Sequence, residues 1–463
     1  MTECLLDADA GPTVPVHALR GADWGAFATA QPARVMAAAA AGQFTAAEGQ
    51  RVLVPDAHGG VERVLFGLGE PAVQSAMAFR DLSASLPPGD YRILGPVAGC
   101  DPTQLAVAWA LGAYRFDRYK QERAGSPPRL APPPGAAVGE ARLLSHACAM
   151  ARDMINTPAS DMGPRQVETI AREIAEAFGA TMTVTAGDAL IEAGYPAVHA
   201  VGRAAVAERA PRMIEIRWGE AARPLVALVG KGVVFDTGGL DIKPSAGMAL
   251  MKKDMGGAAH ALALARLIMA AALPVSLAVL IPVAENAIAG DAMRPGDVLA
   301  SRKGLTIEVG NTDAEGRLIL ADALARAAEL SPHLTIDLAT LTGAARVALG
   351  PQVAPFYTAD DELAAALAAA AQAVDDPVWR MPLWEGYASA LDSDIADIRN
   401  DSDPWAQAGS ITAALFLRRF APSGPWIHFD IFAWNPRARP GWPRGAEVQA
   451  IRALFAMLKA RYR

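Results

Sequence analysis

Between positions 311 and 318 the chain reads Asn311-Thr312-Asp313-Ala314-Glu315-Gly316-Arg317-Leu318, with two carboxylates and a guanidinium on alternate residues. Carboxylates so spaced can hold a hard cation through oxygen, and a planar guanidinium beside them can grip an anion. The flanking residues predict a strand-to-helix junction. Residues 305–309, Leu-Thr-Ile-Glu-Val, alternate in the β-branched manner of a strand, and 318–330 carry apolar residues at helical spacing. Asp313, Glu315 and Arg317 are therefore expected beyond the carboxyl end of a strand, where open α/β sheets place their ligands. The same residues also suit a plain helix start, with Asp as cap and Glu in the first turn, both favoured by the helix dipole.

A second stretch bears on that choice. Residues 229–239 read Val-Gly-Lys-Gly-Val-Val-Phe-Asp-Thr-Gly-Gly, followed by Lys243 and by Met251-Lys252-Lys253-Asp254-Met255-Gly256-Gly257-Ala258-Ala259. Lys231 after a strand-like run suggests a phosphate-binding loop, but no glycine stands at the required upstream spacing and Gly232 occupies the place of the P-loop Ser or Thr. Together the two stretches resemble the signatures of the leucyl aminopeptidases, the dinuclear-metal family also called cytosol aminopeptidases, whose pattern at 311–318 is the same eight letters. Further matches run from 114–120 through Pro382-Leu383-Trp384 and 393–397 to His428-Phe429-Asp430-Ile431, and so cover essentially the whole second domain.

The resemblance implies two divalent ions, zinc or manganese, held by Lys231, Asp236, Asp254, Asp313 and Glu315, with Asp236 and Glu315 bridging and Asp254 serving the tighter site. Two cations about 3.5 to 4 Å apart need several carboxylates and an open position for water and substrate. Lys231 can coordinate only as a neutral amine, a form that burial and adjacent dications favour. The resemblance also implies that Lys243 stays cationic and stabilises the tetrahedral oxyanion, and that Arg317, with backbone near Leu341, holds a bicarbonate ion. Met251, Thr340, Gly343 and Phe432 fall at substrate-pocket positions. Taken from the family, the activity is release of N-terminal residues from peptides, and the assembly is a homohexamer. The chain departs from the family at its C-terminus, where Phe432-Ala433 stands for Ala-Gly, Trp434-Asn435-Pro436 follows, and 441–448 replaces a Gly-Ala-Thr-Gly stretch. A larger wall at Phe432 is expected to shrink the pocket, unless the ring turns into the core and the loop at 434–436 forms the wall instead.

The chain has 463 residues, 52% hydrophobic and 20% charged, enough for two or three well-buried domains. Its net charge of −7 gives no global attraction for nucleic acid or an anionic membrane. Cys4, Cys100 and Cys148 are far apart with no CxxC pair, which argues against a disulfide framework and a thiolate metal site. Glu3, Asp7 and Asp9 near the start do not read as a secretory signal, so a cytoplasmic protein is expected. The uncharged run 267–284 is divided by Pro274 and reads as helix end, turn and buried strand.

Short strand-like runs at 51–55, 61–67 and 91–94 with a helical stretch at 104–111 predict a small N-terminal α/β domain, 1–135, without chemistry. It closes on a proline-rich connection at 123–135. A linking helix, 136–157, with helical periodicity over 140–155 and a stop at Asn156-Thr157-Pro158, leads into a catalytic domain at 158–463. There strands at 181–184, 212–217, 225–229, 277–281, 305–309 and 335–338 alternate with helices, which predicts a mostly parallel, helix-flanked sheet; the resemblance implies that it carries the dinuclear metal site. The alanine-rich stretch 362–374 reads as a surface helix. Two readings compete with the aminopeptidase: a family member acting mainly as a DNA-binding or regulatory protein, and another metallo-amidase on the same site. A complete set of acids, both lysines and an acidic pI of about 5.6 favour the enzyme.

Overall fold

The computed structural model describes residues 4–7, 11–70, 75–121, 125–402 and 405–463. Glu3, Asp9 and the start of the proline-rich stretch at Arg123 lie outside these. The chain parts into two compact units, Met1–Ala149 with Pro436–Arg444, and Met150–Asn435 with Gly445–Arg463.

The first unit holds a five-stranded sheet in the order Arg51–Pro55, Val61–Gly69, Val14–Arg20, Asp90–Ile93, Arg129–Ala131. The first pair is antiparallel and the rest are parallel. The helix Pro102–Ala113 starts where Asp101 accepts the Gln104 amide at 3.0 Å, with Pro102 in the first turn. It packs on the helix Ala78–Ser85 so closely that a Cβ at Gly112 would lie 2.0 Å from the Arg80 carbonyl. The segment 436–444 belongs to this unit, where Arg80 and Arg439 guanidinium groups lie 4.6 and 4.0 Å from the Trp442 ring centre.

The second unit is built on a nine-stranded mixed sheet, mostly parallel at its centre. Its path runs Val378–Arg380, Ala354–Tyr357, Trp426–Asp430, Leu334–Ala339, Leu225–Gly230, Ser276–Asn286, Arg212–Trp218, Thr181–Ala186, with Gly232–Asp236 paired to Ser276–Asn286. The central strands Leu334–Ala339 and Leu225–Gly230 are almost wholly buried, as a sheet covered on both faces requires. The helix Gly256–Ala270 packs on them, buried along nearly its whole length. It comes close because Gly257 has no side chain: a Cβ there would sit 2.1 Å from the Leu338 carbonyl. The helix Glu315–Glu329 packs on Ser276–Asn286 and on the helix Pro196–Gly202.

Four strands of this sheet, Gly232–Asp236, Ala354–Tyr357, Val378–Arg380 and Trp426–Asp430, were not anticipated from sequence. One expectation is corrected. The strand before the 311–318 motif spans only Thr306–Glu308 and lies in a separate three-stranded sheet with Val298–Ala300 and Ile398–Arg399. Asp313, Glu315 and Arg317 therefore do not follow a strand of the main sheet. The main sheet's strand ends instead deliver Lys231, Asp236, Thr340 and Phe432. The alanine-rich helix, Asp361–Ala373, buries Leu363, Ala364, Leu367 and Ala371 and exposes its other face.

Candidate metal centre and substrate cleft

Lys231 sits in the one-residue gap between Leu225–Gly230 and Gly232–Asp236, both paired with Ser276–Asn286. The register on either side, Val229 with Leu280 and Gly232 with Val283, sets the gap beside Pro282, which has no N–H to give the ladder. The Lys231 amide turns to donate to Leu338 O at 3.0 Å, and its side chain runs inward. There Nζ donates to Thr340 O at 3.0 Å and lies 2.6 Å from Asp254 Oδ2 and 3.0 Å from Glu315 Oε1. A Cβ at Gly316 would lie 2.4 Å from Lys231 Cε, so the glycine after Glu315 makes room for the lysine stem.

Asp236 ends its strand and is 2% exposed. Its Oδ1 accepts from Gly238 N at 2.9 Å and Asn286 Nδ2 at 2.8 Å, while Oδ2 lies 2.7 Å from Lys243 Nζ. Gly238, at φ +88°, takes a left-handed turn that brings Lys243 back toward Asp236. Lys243 Nζ also pairs with Asp313 Oδ1. Thr312 ties the two motif loops together: its hydroxyl donates to Gly238 O at 2.6 Å and its amide to Asp241 Oδ2 at 2.7 Å. Asp254 follows the turn Met251–Lys253 and accepts from Thr340 Oγ1 at 2.7 Å.

Asp236, Asp313 and Glu315 bring carboxylate oxygens within 4.8 Å of one another. Asp254 Oδ2, Asp313 Oδ1 and Glu315 Oε1 are buried and face ammonium nitrogens, yet receive no aligned hydrogen bond. Four crowded acids facing two lysines shift one another. Burial and the Asp236 charge push Glu315 up to about 8 and Asp313 up to about 6. Burial also disfavours the charged forms of Asp254 and Lys231, but their mutual attraction prevails, so the acid is lowered and the lysine raised. Burial alone thus does not neutralise Lys231. Lys243 is likewise raised, by Asp236 and Asp313 against its burial. Hard oxygen donors, uncompensated charge and under-bonded oxygens are what a pair of divalent cations would satisfy, so the residues fit such ions.

Arg317 is 8% exposed, and burial lowers it to about 10. Among the described residues its Nε and Nη1 find no hydrogen-bond acceptor. It opens onto a cleft of about 370 Å³ that is also lined by Lys231, Asp236, Asp254, Asp313 and Lys243. Met251, Thr340, Leu341, Gly343 and Phe432 line the same cleft. Phe432 is half-buried, whereas Trp434 is buried and pairs through Trp434–Asn435 with Gly445–Ala446. The ring faces the cleft, and the loop at 434–436 does not form its wall. Every site residue expected from sequence is thus part of one constellation.

Sequence reasoning missed the residues that hold this constellation. Asn286 closes an apolar strand run with a polar side chain at its carboxyl end, a signal that was available. Asp430 was noted only as part of a motif. Its Oδ1 accepts from Leu341 N at 3.0 Å and Thr342 N at 2.9 Å, and its Oδ2 from Thr342 Oγ1 at 2.6 Å and Ser410 Oγ at 3.1 Å. This carboxylate clamps the loop that carries Thr340 and Leu341 into the cleft.

The sequence profile described as the cytosol aminopeptidase family, catalytic domain, matches residues 149–455, and that of the M17 aminopeptidase N-terminal domain matches 14–132. The chain belongs to the cytosol aminopeptidase family. A probable cytosol aminopeptidase of Syntrophotalea carbinolica is 41% identical over 372 residues, 77% of this chain and 74% of that one. One of Nocardia farcinica is 38% identical over 431 residues, 88% and 84% of the two chains. The crystal structure of a cytosol aminopeptidase from Coxiella burnetii superposes with a TM-score of 0.93 at 42% identity, covering 99% of this chain and 100% of that one. The bottromycin maturation enzyme BotP in complex with Mn superposes with a TM-score of 0.87 at 34% identity, over 98% and 100%. The protein is an enzyme of the hydrolase class, an aminopeptidase acting on peptides, and metal-dependent as its family is. The DNA-binding alternative finds no support in these likenesses. Among the described residues no helix is long and apolar enough to cross a membrane.

Proposed function

We propose that this cytosol aminopeptidase family member uses two divalent ions, manganese or zinc, to release the first residue from peptides with a free N-terminus. The observation that carries the reading is the meeting of Asp236, Asp254, Asp313 and Glu315 around two lysines, with three buried carboxylate oxygens lacking aligned donors. These four acids and Lys231 as a neutral amine would hold the ions. When bound, the ions supply Lewis-acid activation of water and a grip on the free α-amine, which restricts attack to the first peptide bond.

The chain's own residues do the rest. Lys243 donates to the developing oxyanion of the scissile carbonyl. Arg317, whose Nε and Nη1 find no acceptor among the described residues, would hold bicarbonate beside the Leu341 backbone, where that anion would supply a proton acceptor for the attacking water. Met251, Thr340, Gly343 and Phe432 receive the first side chain. Asn286 and Asp430 orient Asp236 and the 340–342 loop. A cytoplasmic homohexamer completes the reading, by family resemblance. The test is metal content measured alongside hydrolysis of a panel of aminoacyl amides, in the parent and in Glu315→Gln. Loss of both metal and rate is expected, and near-normal rate in the variant would exclude Glu315 from the site.

A further inference from the structure

The cleft has a basic end that the chemistry above does not use. Lys253, the residue before Asp254, is 6% exposed and lines the cleft, with Nζ 5.0 Å from the centre of the Phe432 ring. Among the described residues its ammonium makes no ion pair within 4 Å and no hydrogen bond; Asp254 and Asp430 attract it only from farther off, and the ring is its contact. Its neighbour Lys252 differs: that ammonium donates to Asn156 O at 2.5 Å and does not line the cleft. Arg346, on the helix Gly343–Leu349, also lines the cleft, with its guanidinium carbon 5.2 Å from the centre of the same ring. It too has no acidic partner among the described residues. A cation so nearly buried is normally paired, because an aromatic face does not replace the hydration it has lost. Two cations against one ring, both facing the space where substrate must lie, form a receptor for an anion.

We propose that Lys253 and Arg346 select a substrate carboxylate, borne by the side chain of the first residue, so that the enzyme prefers peptides beginning with Glu or Asp. This rests on the aminopeptidase reading, in which Phe432 walls the pocket for the first side chain. The free amine is drawn to the acidic end, and the side-chain carboxylate meets Lys253 across the Phe432 wall. A terminal carboxylate of a dipeptide has the same chemistry, and its longer reach from the scissile bond is the arm the experiment separates. A pocket of this kind discriminates by charge at constant shape, since glutamate and glutamine fill the same volume.

The experiment uses the metal-loaded protein and compares kcat/KM for glutamyl, glutaminyl and leucyl amides, and for leucyl-glycine against leucyl-glycinamide. Glutamyl is expected to exceed glutaminyl by about 10- to 100-fold, the range of one hydrogen bond to a charged group. Lys253→Met should bring the pair to near parity, Lys253→Arg should keep most of the preference, and Arg346→Gln, exposed, should lower it by about threefold. The same ranking should appear in thermal protection by free glutamate over glutamine, a readout that needs no turnover. If Lys253→Met does not fold, the parent ratio and Arg346→Gln still decide. A glutaminyl amide handled as well as glutamyl, or a ratio unmoved in the variants, overturns the proposal. A Lys253-dependent preference for leucyl-glycine over its amide, without one for glutamyl, overturns the side-chain assignment. No hydrolysis of any amide, with protection by glutamate intact, would instead count against the aminopeptidase reading.

Discussion

Replacing Asn286 by Ala removes a side chain that would touch no ion in the proposed site yet sets the aim of Asp236, an acid proposed to bridge the ions. Asn286 is 2% exposed, and its Nδ2 donates to Asp236 Oδ1 at 2.8 Å and to Thr312 O at 3.1 Å. Losing a bond to a charged acceptor costs about 1.5 to 3 kcal/mol and one to a carbonyl about 0.5 to 1.5 kcal/mol, so the metal-free fold should weaken by about 2 to 4.5 kcal/mol. In the variant, Asp236 Oδ1 would keep only the Gly238 amide. Losing an orienting partner of this kind typically lowers metal affinity by about 10- to 100-fold. Urea unfolding of metal-free protein measures the first number, and competition with a chelator of known affinity measures the second. If the fold weakens by the stated amount while metal affinity stays within about twofold, Asn286 serves the fold alone and does not position Asp236. If neither changes, the hydrogen bonds themselves carry no weight.

Lys243→Ala should retain both metals and lose about 100- to 1000-fold in rate, as removal of an oxyanion donor does; loss of metal would reassign the residue. Phe432→Ala should enlarge the pocket and raise the leucyl-to-alanyl ratio of kcat/KM, by no more than about 10- to 200-fold per methylene accommodated, and an unchanged ratio would remove the ring from the pocket wall. Asp322, wholly buried, accepts the amides of Ala197 at 2.8 Å, Val198 at 3.2 Å and Arg302 at 2.8 Å, and burial pushes it up to about 7 against these donors. A raised acid binds its proton more tightly when folded, so its contribution is present below about pH 4 and lost as pH rises through 7, on the order of 4 kcal/mol. The stability difference between parent and Asp322→Asn should therefore change across that window by urea unfolding; a constant difference would mean that the three amides hold the carboxylate ionised.

Local spacing was enough for most elements, while the candidate site residues were read from motifs that resemble the family's. Strand-like runs marked 51–55, 212–217 and 225–229, and the observed strands Arg51–Pro55, Arg212–Trp218 and Leu225–Gly230 follow them, because burial on a pleated surface writes itself into consecutive residues. The acids and lysines were legible because each lies in a short motif whose residue types have few other uses together. What tertiary structure alone decided is which distant pieces meet. The strand Gly232–Asp236 is set off from Leu225–Gly230 by Lys231 alone, and it exists as a strand through pairing with Ser276–Asn286 beyond that gap. The strand before Asp313 reads locally like any other, and only its partners, Val298–Ala300 and Ile398–Arg399, exclude it from the main sheet. Asn286, Thr312 and Asp430 act through hydrogen bonds spanning 20 to 89 residues, which no local pattern encodes. Lys253 shows the limit most clearly. In the sequence it is one of two adjacent lysines, and only the packed chain, by burying one ammonium against Phe432 and giving the other the Asn156 carbonyl, makes them different.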